Sequence, residues 1–501
     1  MTLHEIFKEV AGAHITGDGN VGIRMITDDS RRITGGDLFL AVTEPKDGGD
    51  AYLRAALQNG AAAIATARPI SKPLAETFPK AAWVSVPDIS RAFSKAASAF
   101  YGHPSLHFKL IGITGTKGKT TTTYLLESIY TLSGSKPGVI GTVNYRLGGH
   151  IIAKAANTTP PAHSLQALFR TMADTGAAAV MMEVSSHALA LNRADEAAFD
   201  VAVFTNLQRD HLDFHGDRNA YFKAKLRLFE LLAASPKKPK TAVVNADDEK
   251  AAGILAALSA GLAAVTFGID KPADFRAEKI EILQDRTIFE LAARGARRRV
   301  ELNLLGRFNI YNTLAAIAAA VSAGVPLETA VKGAEALNNV PGRLERVDRG
   351  QPFTVFVDYA HTDAALENVL SNLGKMPHRK IITVFGCGGD RDRSKRAPMG
   401  RAAASLSDRA IVTSDNPRGE DPARIFSDIE AGLKGTFSNY TIIPDRRAAI
   451  FEAVGLAEAG DILLIAGKGH EDYQILKDRT IHFDDREIAG EAIAASLKSA
   501  K

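Results

Sequence analysis

A single cysteine, Cys387, stands among 501 residues, so the chain cannot close a disulfide on itself and a small, disulfide-stapled secreted fold is excluded. Charge of one sign is nearly as scarce: the formal net charge is only +4, too small an excess on so large a surface to argue for nucleic acid as a partner. Small acidic or phosphorylated substrates suit such a balance. Long apolar runs are missing as well. No segment reaches the roughly twenty uninterrupted apolar residues that a membrane span needs, because Gly, Asp or Glu breaks even the alanine-rich stretches, and membrane insertion is not expected. The first ten residues, Met1-Thr-Leu-His-Glu-Ile-Phe-Lys-Glu-Val10, lack the apolar core of a signal peptide. The reading is a cytoplasmic protein that acts as a monomer on small molecules.

What is present is an ordinary globular composition, 46% hydrophobic and 24% charged, at a length that calls for about three domains. Short strands at Leu38–Val42, Ala61–Ala65 and Trp83–Val86 mix with helical stretches until Tyr101-Gly-His-Pro104 interrupts the pattern. Apolar strands then recur at Pro137–Gly141, Ala178–Glu183, Val201–Thr205 and Thr241–Asn245. Runs apolar on both alternating faces belong inside a mostly parallel sheet with helices on each side. The helix Tyr311–Val321 ends at Gly324, and Asn339-Val-Pro-Gly-Arg343 reads as a linker. Strands at Thr354–Asp358, Ile381–Phe385, Ala410–Ser414 and Asp461–Ala466, each followed by a polar or glycine-rich loop, predict a Rossmann-like carboxy-terminal domain whose ligands lie at the strand ends. The expectation is an α/β protein of three domains: 1–107, 108–340 with a P-loop, and 341–501.

The apolar strand Phe108–Thr114 runs into Gly115-Thr116-Lys117-Gly118-Lys119-Thr120-Thr121. This is a nucleotide-phosphate cradle. Gly115 and Gly118 allow backbone amides to approach phosphate oxygens, Lys119 adds a cation, the Thr120 hydroxyl suits Mg²⁺, and the next helix points its positive end at the anion. The loop is a contracted form, since Ile113 occupies the place of the first glycine in the G-x-x-x-x-G-K-[ST] pattern. ATP is the expected co-substrate.

Downstream, Glu183 ends a strand as a Mg²⁺-binding carboxylate would, and Arg209-Asp-His-Leu-Asp-Phe-His-Gly216 is dense in ligand-type side chains. His211 and His215 have the i,i+4 spacing of a zinc pair. No glutamate lies between them as in H-E-x-x-H, and Gly216 discourages a continuous helix, so zinc is not expected.

The ordered set Gly115–Thr120, Asn157-Thr-Thr-Pro160, Glu183-Val-Ser-Ser-His187, Asp210–His215, Leu305-Gly-Arg-Phe-Asn309, Pro341-Gly-Arg343, Asp358-Tyr-Ala-His361, Gly386-Cys-Gly-Gly-Asp-Arg391, Asp415-Asn-Pro-Arg418 and Gly467-Lys-Gly-His-Glu471 resembles the Mur ligases. The resemblance extends to Asp29-Ser30-Arg31 and Gly36-Asp-Leu-Phe39, and so covers the whole chain. It implies an ATP- and Mg²⁺-dependent ligase that joins meso-diaminopimelate to the D-glutamate side-chain carboxylate of UDP-N-acetylmuramoyl-L-alanyl-D-glutamate, through an acyl phosphate, in peptidoglycan precursor synthesis. By the same resemblance Lys119, Glu183, His211 and Lys225 are catalytic, with two Mg²⁺ ions, Thr120 and Glu183 near one and His211 near the other, and a carbamoylated Lys225 as a further metal-binding group. As an ammonium Lys225 would repel Mg²⁺, whereas as a carbamate it offers oxygens. Lys223 is the neighbouring alternative.

The resemblance also assigns Asn309, Arg343, Asp358 and His361 to the nucleotide, and Ser30, Asn157, Thr158, Thr159, Ser185 and Arg193 to the UDP-substrate. The incoming amino acid would meet Arg391, Asp415, Asn416, Pro417, Arg418, Gly467 and Glu471. Diaminopimelate differs from lysine by a second carboxylate, which Arg418 would hold as a forked ion pair while Asp415 faces an ammonium. Lysine would leave that guanidinium unpaired, a contrast that discriminates by up to roughly 10⁴-fold.

Three positions depart from the family pattern: Leu191 replaces a glutamine that touches the sugar-peptide, Asp363 a proline after His-Thr, and Lys117 a frequent asparagine. Leu191 leaves open a related ligase with another acceptor or another amino acid such as L-lysine. A noncatalytic nucleotide-binding homologue is opposed by the presence of Lys119, Glu183, His211 and Lys225 together.

Overall fold

In the computed structural model, residues 1–42, 50–283 and 285–499 are described. They form a mixed α/β protein with two compact units: residues 1–276 with 312–333, and residues 277–311 with 334–501. No helix among the described residues is long and apolar enough to cross a membrane.

The first unit opens with a five-stranded sheet in the order His14–Thr16, Ala82–Ser85, Ala61–Thr66, Asp37–Leu40, Ile26–Thr27. All neighbours are parallel except the edge pair formed by His14–Thr16 and Ala82–Ser85. The two-residue period sorts its side chains between two cores. Leu38, Leu40, Ala63, Ala65 and Val84 pack with Leu3, Ile6, Phe93 and Ala96 of the helices Leu3–Phe7 and Ile89–Phe100. Phe39, Ile64 and Trp83 face Leu53, Leu57 and Leu74 of the helices Ala51–Gln58 and Lys72–Thr77. Asp88 fixes where the long helix begins, its carboxylate accepting from the amides of Ser90 and Arg91 at 3.0 and 3.1 Å.

The same unit carries the phosphate-loop sheet. Its parallel strands run Ala263–Gly268, Thr241–Asn245, Val201–Phe204, Lys109–Thr114, Ala179–Glu183, Pro137–Ile140, and two antiparallel strands, Asn144–Leu147 and His150–Lys154, complete one edge. One face buries Leu110, Val180, Met182, Phe204 and Val244 beneath the helices Ala162–Asp174 and Arg218–Ala234. The helix Lys119–Leu132 packs on the sheet through its strands Lys109–Thr114, Pro137–Ile140 and Ala179–Glu183. Each fully buried aliphatic side chain contributes roughly 1.5–3 kcal/mol, which is why these strands read as unbroken apolar runs. Gly112 is part of that packing: a Cβ there would lie 2.6 Å from the Phe199 ring.

The second unit is built on a six-stranded sheet ordered Glu345–Val347, Thr354–Asp358, Ile462–Ala466, Ile381–Phe385, Arg409–Val412, Tyr440–Ile442, parallel but for its first strand. Alternating residues feed two cores. Phe356, Phe385, Val412 and Leu464 lie on one face; Val355, Val384, Ile411 and Ile465 lie on the other, under the helices Arg446–Leu456 and Asp485–Ser499. The carboxyl ends of four of these strands therefore converge at Asp358, Gly386, Asp415 and Gly467, the position where open α/β sheets hold ligands.

Candidate active site

In the first unit, the strand Lys109–Thr114 delivers the backbone to Gly115 (φ 146°), and Gly118 (φ 89°) starts the helix Lys119–Leu132. Both glycines are required by space as well as by φ. A Cβ on Gly115 would sit 1.9 Å from Thr205 Oγ1, and one on Gly118 would sit 2.3 Å from Asn312 Oδ1. Thr205 and Asn206 brace the loop: Thr205 Oγ1 donates to Lys117 O at 2.6 Å, and Lys117 N donates to Asn206 Oδ1 at 3.0 Å. Lys119 curls back over it, its ammonium donating to Gly115 O and Thr116 O at 2.9 and 3.0 Å. Thr116 reaches Tyr221 Oη at 3.1 Å, and Thr121 is buried in the first helical turn.

Behind the loop the Thr120 hydroxyl donates to Glu183 Oε2 at 3.1 Å, with both side chains buried. The sequence reading overlooked Thr142, which completes the carboxylate's environment. Its amide donates to Glu183 Oε1 at 2.9 Å, its hydroxyl donates to Oε2 at 3.0 Å, and it also meets Thr158 Oγ1 at 3.1 Å. Thr159 Oγ1 donates to Glu183 O at 2.8 Å and accepts from Ser185 N at 3.0 Å, while Arg193 Nη1 donates to Thr159 O at 3.2 Å. Thr158, Thr159, Ser185 and Arg193 thus share one network with Glu183. Asn157 is exposed, its carbonyl accepting from Tyr145 Oη at 2.8 Å, and Ser30 lies in a short 3₁₀ turn whose carbonyl accepts from Asn59 at 3.0 Å.

Lys225 is strongly perturbed. Its side chain is almost wholly buried, its Nζ donates to Gly115 O at 2.9 Å and lies 4.3 Å from the centre of the Tyr221 ring. Burial, and then the nearby Lys119, push its pKa well below that of an ordinary lysine, with Asp210 opposing them. Lys223 lies two residues earlier on the same helix, on the exposed side. His211 takes a left-handed backbone (φ 53°) ahead of the turn Leu212–His215 and stacks edge-on against His187 at 4.8 Å. His215 also meets His187, at 5.5 Å, and its Nε2 is 3.0 Å from Ser186 Oγ. Burial first, and then the neighbouring cations, hold the His211 pKa below its ordinary value against the pull of Asp210. Lys117 answers that carboxylate from 3.6 Å.

For a divalent cation, the Thr120 hydroxyl and the Glu183 carboxylate offer hard oxygen donors 3.1 Å apart beside a phosphate cradle. This is the donor chemistry that Mg²⁺ takes when nucleotide phosphates and waters supply the remaining ligands. The residues fit the ion.

The second unit gathers the other candidates at its strand ends. Asp358 accepts from the amides of Leu344 and Ala360, both at 2.8 Å, and the Arg343 guanidinium lies 5.4 Å from the centre of the Tyr359 ring. His361 Nδ1 is 2.7 Å from Tyr359 O, and Asn309 is buried with its amide donating to Leu305 O at 2.9 Å. Asp363 opens the helix Asp363–Leu373 behind the Thr362 cap, where an acidic side chain suits the helix dipole and takes the place of a stiffening proline.

Beside them, Asn416 N donates to Asp415 Oδ1 at 2.6 Å and Asn416 Nδ2 donates to Glu471 Oε2 at 2.9 Å. Gly467 (φ 116°) leaves room for Asp415, whose Oδ2 would lie 2.8 Å from a Cβ there. Arg418 adopts φ 52° and aims Nη1 at the carbonyls of Gly389 and Asn416, at 3.0 and 3.3 Å. Pro417 O is held so close to Gly389 that a Cβ on that glycine would fall 1.9 Å from it. Arg391 is exposed and donates to Asp390 O at 3.1 Å.

Sequence reasoning also missed the buried ions of this region. Arg446 forms a two-pronged pair with Asp485, both distances 2.7 Å, and donates further to Ser414 O and Ala466 O, the residues just before Asp415 and Gly467. Arg396 pairs with Glu420 and Asp428 and reaches Gly388 O at 3.3 Å. Lys468 is fully buried between Asn416 and Glu471. Lys468 standing between two glycines, three residues before Glu471, is the one visible sign of it.

A contracted phosphate loop backed by a threonine–carboxylate pair, with a second α/β unit whose strand ends carry opposed charges, defines an ATP-dependent ligase of the P-loop kind. Residues 113–320 match the Mur ligase middle domain, and residues 342–469 match the Mur ligase glutamate ligase domain. The chain belongs to the Mur ligase family. It is 45% identical over 97% of its length to the UDP-N-acetylmuramoyl-L-alanyl-D-glutamate--2,6-diaminopimelate ligase of Solibacter usitatus, covering 94% of that protein. It is 44% identical to the ligase of the same name from Halalkalibacterium halodurans, with 98% of each chain covered. A solved structure bearing that name superposes with a TM-score of 0.71 at 32% identity, over 99% of both chains. Folylpolyglutamate synthase from Mycobacterium tuberculosis, at 19% identity and a TM-score of 0.61 over 81% of this chain and 94% of that one, shares the fold alone.

Proposed function

We propose that the chain is a cytoplasmic, monomeric ligase that uses ATP to join meso-2,6-diaminopimelate to the D-glutamate side-chain carboxylate of UDP-N-acetylmuramoyl-L-alanyl-D-glutamate. The observation that carries the substrate assignment is the 45% identity, across nearly the whole chain, to a relative whose name states that reaction. Residues 1–107 would bind the UDP-substrate, 108–340 ATP, and 341–501 the amino acid.

A carboxylate is a poor electrophile, so its oxygen first attacks the γ-phosphorus of ATP and ADP leaves. The amine nitrogen then attacks the acyl phosphate and inorganic phosphate departs, a proton being lost from the amine. Lys119 and the amides of residues 115–120 would hold the phosphates, Thr120 and Glu183 would hold one Mg²⁺, and His211 would lie near a second. The ions supply positive charge against the crowded phosphate oxygens when bound. The buried Lys225, favoured as a neutral amine, is suited to add to CO₂ with loss of a proton, giving an anionic carbamate that no longer repels a metal.

Asn309, Arg343, Asp358 and His361 would complete the nucleotide site, and Ser30, Asn157, Thr158, Thr159, Ser185 and Arg193 the acceptor site. Arg391, Asn416, Pro417, Gly467 and Glu471 would line the amino-acid pocket, where Asp415 faces an ammonium and Arg418 the distal carboxylate.

The test is phosphate release from ATP, Mg²⁺ and the UDP-dipeptide across a panel of amino acids, with wild type and Arg418→Asn. Release that depends on meso-diaminopimelate in the wild type, with preference over L-lysine lost in the variant, is expected; equal turnover of both by the wild type would sink the specificity. A second reading, a related ligase with another acceptor, rests on Leu191, 43% exposed where a polar contact to the sugar-peptide is expected. Replacing the UDP-dipeptide by simpler carboxylates separates the two.

A further inference from the structure

Among the residues with no role assigned so far, Lys468 is the most unusual, because a fully buried ammonium is costly unless it is compensated. Its compensation comes from the amino-acid pocket itself. Nζ lies 3.3 Å from Asn416 Oδ1 and 3.3 Å from Glu471 Oε2, and 5.4 Å from the centre of the Tyr473 ring. Asn416 Oδ1 also accepts from Ile475 N at 2.9 Å, so two donors fix which way its amide faces. Nδ2 must then point at Glu471, and it does, at 2.9 Å from the same Oε2. Both donors therefore converge on one carboxylate oxygen. Asn416 alone, as a neutral donor on a rotatable glutamate, would not orient it.

We infer that Lys468 is a positioning residue for amine recognition: it locks Oε2 of Glu471 and the amide of Asn416, so that the other carboxylate oxygen, Oε1, is presented to an ammonium of the amino-acid substrate. The inference rests on the reading of this pocket as the amino-acid site. Lys468 itself touches no substrate, and its effect passes through Glu471.

The experiment is a double-mutant cycle of Lys468→Met and Glu471→Gln in the full-length enzyme, measuring KM for ATP and for the amine that the wild type accepts. The wild-type panel judges the pocket reading separately: absence of any amine-dependent phosphate release there overturns that reading, and this inference with it. Loss of a charge-assisted hydrogen bond predicts that Lys468→Met raises the amine KM about 10- to 100-fold with the ATP KM unchanged. In the Glu471→Gln background the same change should add less than about threefold, because the group it positions is already gone. Independent, multiplicative effects, or an ATP KM that moves in parallel with the amine KM, would show a general structural role and overturn the assignment. Reactivity of the buried Cys387 thiol, measured in each variant, identifies loss of fold; if Lys468→Met is labelled fast, Lys468→Arg, which keeps the cation, must recover amine affinity for the inference to stand.

Discussion

Replacing Asp485 with alanine should destabilise the carboxy-terminal unit far more than its place near the end of the chain suggests. Both members of the Arg446–Asp485 pair have fully buried side chains, held by two parallel contacts of 2.7 Å. Burial works against the Arg446 charge, but the Asp485 carboxylate outweighs it and raises the guanidinium's pKa. Alanine leaves that cation in the interior hydrogen-bonded to the carbonyls of Ser414 and Ala466, with Asp415 and Glu471 acting on it only through space, a loss of about 3–5 kcal/mol. At 1.4 kcal/mol per tenfold, the opening equilibrium rises by roughly 10²- to 10⁴-fold. The assay must report on this unit alone. The single tryptophan, Trp83, belongs to the first sheet and is blind to it, whereas the single cysteine, Cys387, is 2% exposed in the core of the second unit, two residues beyond the strand Ile381–Phe385. Burial pushes its thiol pKa up to about 12, so a thiol reagent at neutral pH reads the opened state. Labelling of Asp485→Ala should accelerate by that factor. The double variant Arg446→Met with Asp485→Leu should regain most of the protection, because neither charge then needs to be desolvated. An acceleration below tenfold, or a double variant as labile as the single one, would refute the reasoning.

Two further outcomes follow from the site. Glu183→Gln keeps the shape but places an amide donor among the amide and hydroxyls of Thr142 and Thr120, so the Mg²⁺ concentration for half-maximal phosphate release should rise tenfold or more; an unchanged Mg²⁺ titration would remove Glu183 from the metal site. Burial, then Arg343 and Arg486, lower the pKa of His470 from 6.5 to about 4, so between those values the unfolded chain binds a proton that the folded one refuses. Stability is therefore lost as pH falls from 6.5 to 4, by up to about 3 kcal/mol at 1.36 kcal/mol per unit, and His470→Gln should flatten that part of the urea-midpoint profile.

Much of this was legible in the sequence, for a physical reason. Strands buried on both faces need continuous apolar runs, so Ala179–Glu183, Thr241–Asn245 and Thr354–Asp358 lie within a residue of where the pattern puts them. The helix read from Tyr311 begins instead at Arg307, with Asn309 in its first turn donating its side-chain amide to Leu305 O. Residues that meet ligand phosphates carry local signatures, since glycine, lysine and threonine must follow a strand in a fixed order. The buried ions carry none: Arg446 pairs across 39 positions and Lys468 reaches Asn416 across 52, and read along the chain each is one more charged residue on a solvated face. Even the lack of room for a side chain at position 118 is set in part by Asn312, far downstream. A motif thus records the atoms that face a ligand, while the charges that hold those atoms in place depend on distant partners and become visible only once the chain has folded. That division makes a testable distinction at the amino-acid pocket, where Arg418 and Glu471 should govern which amine is chosen and Lys468 and Arg446 how firmly the choosing groups are held.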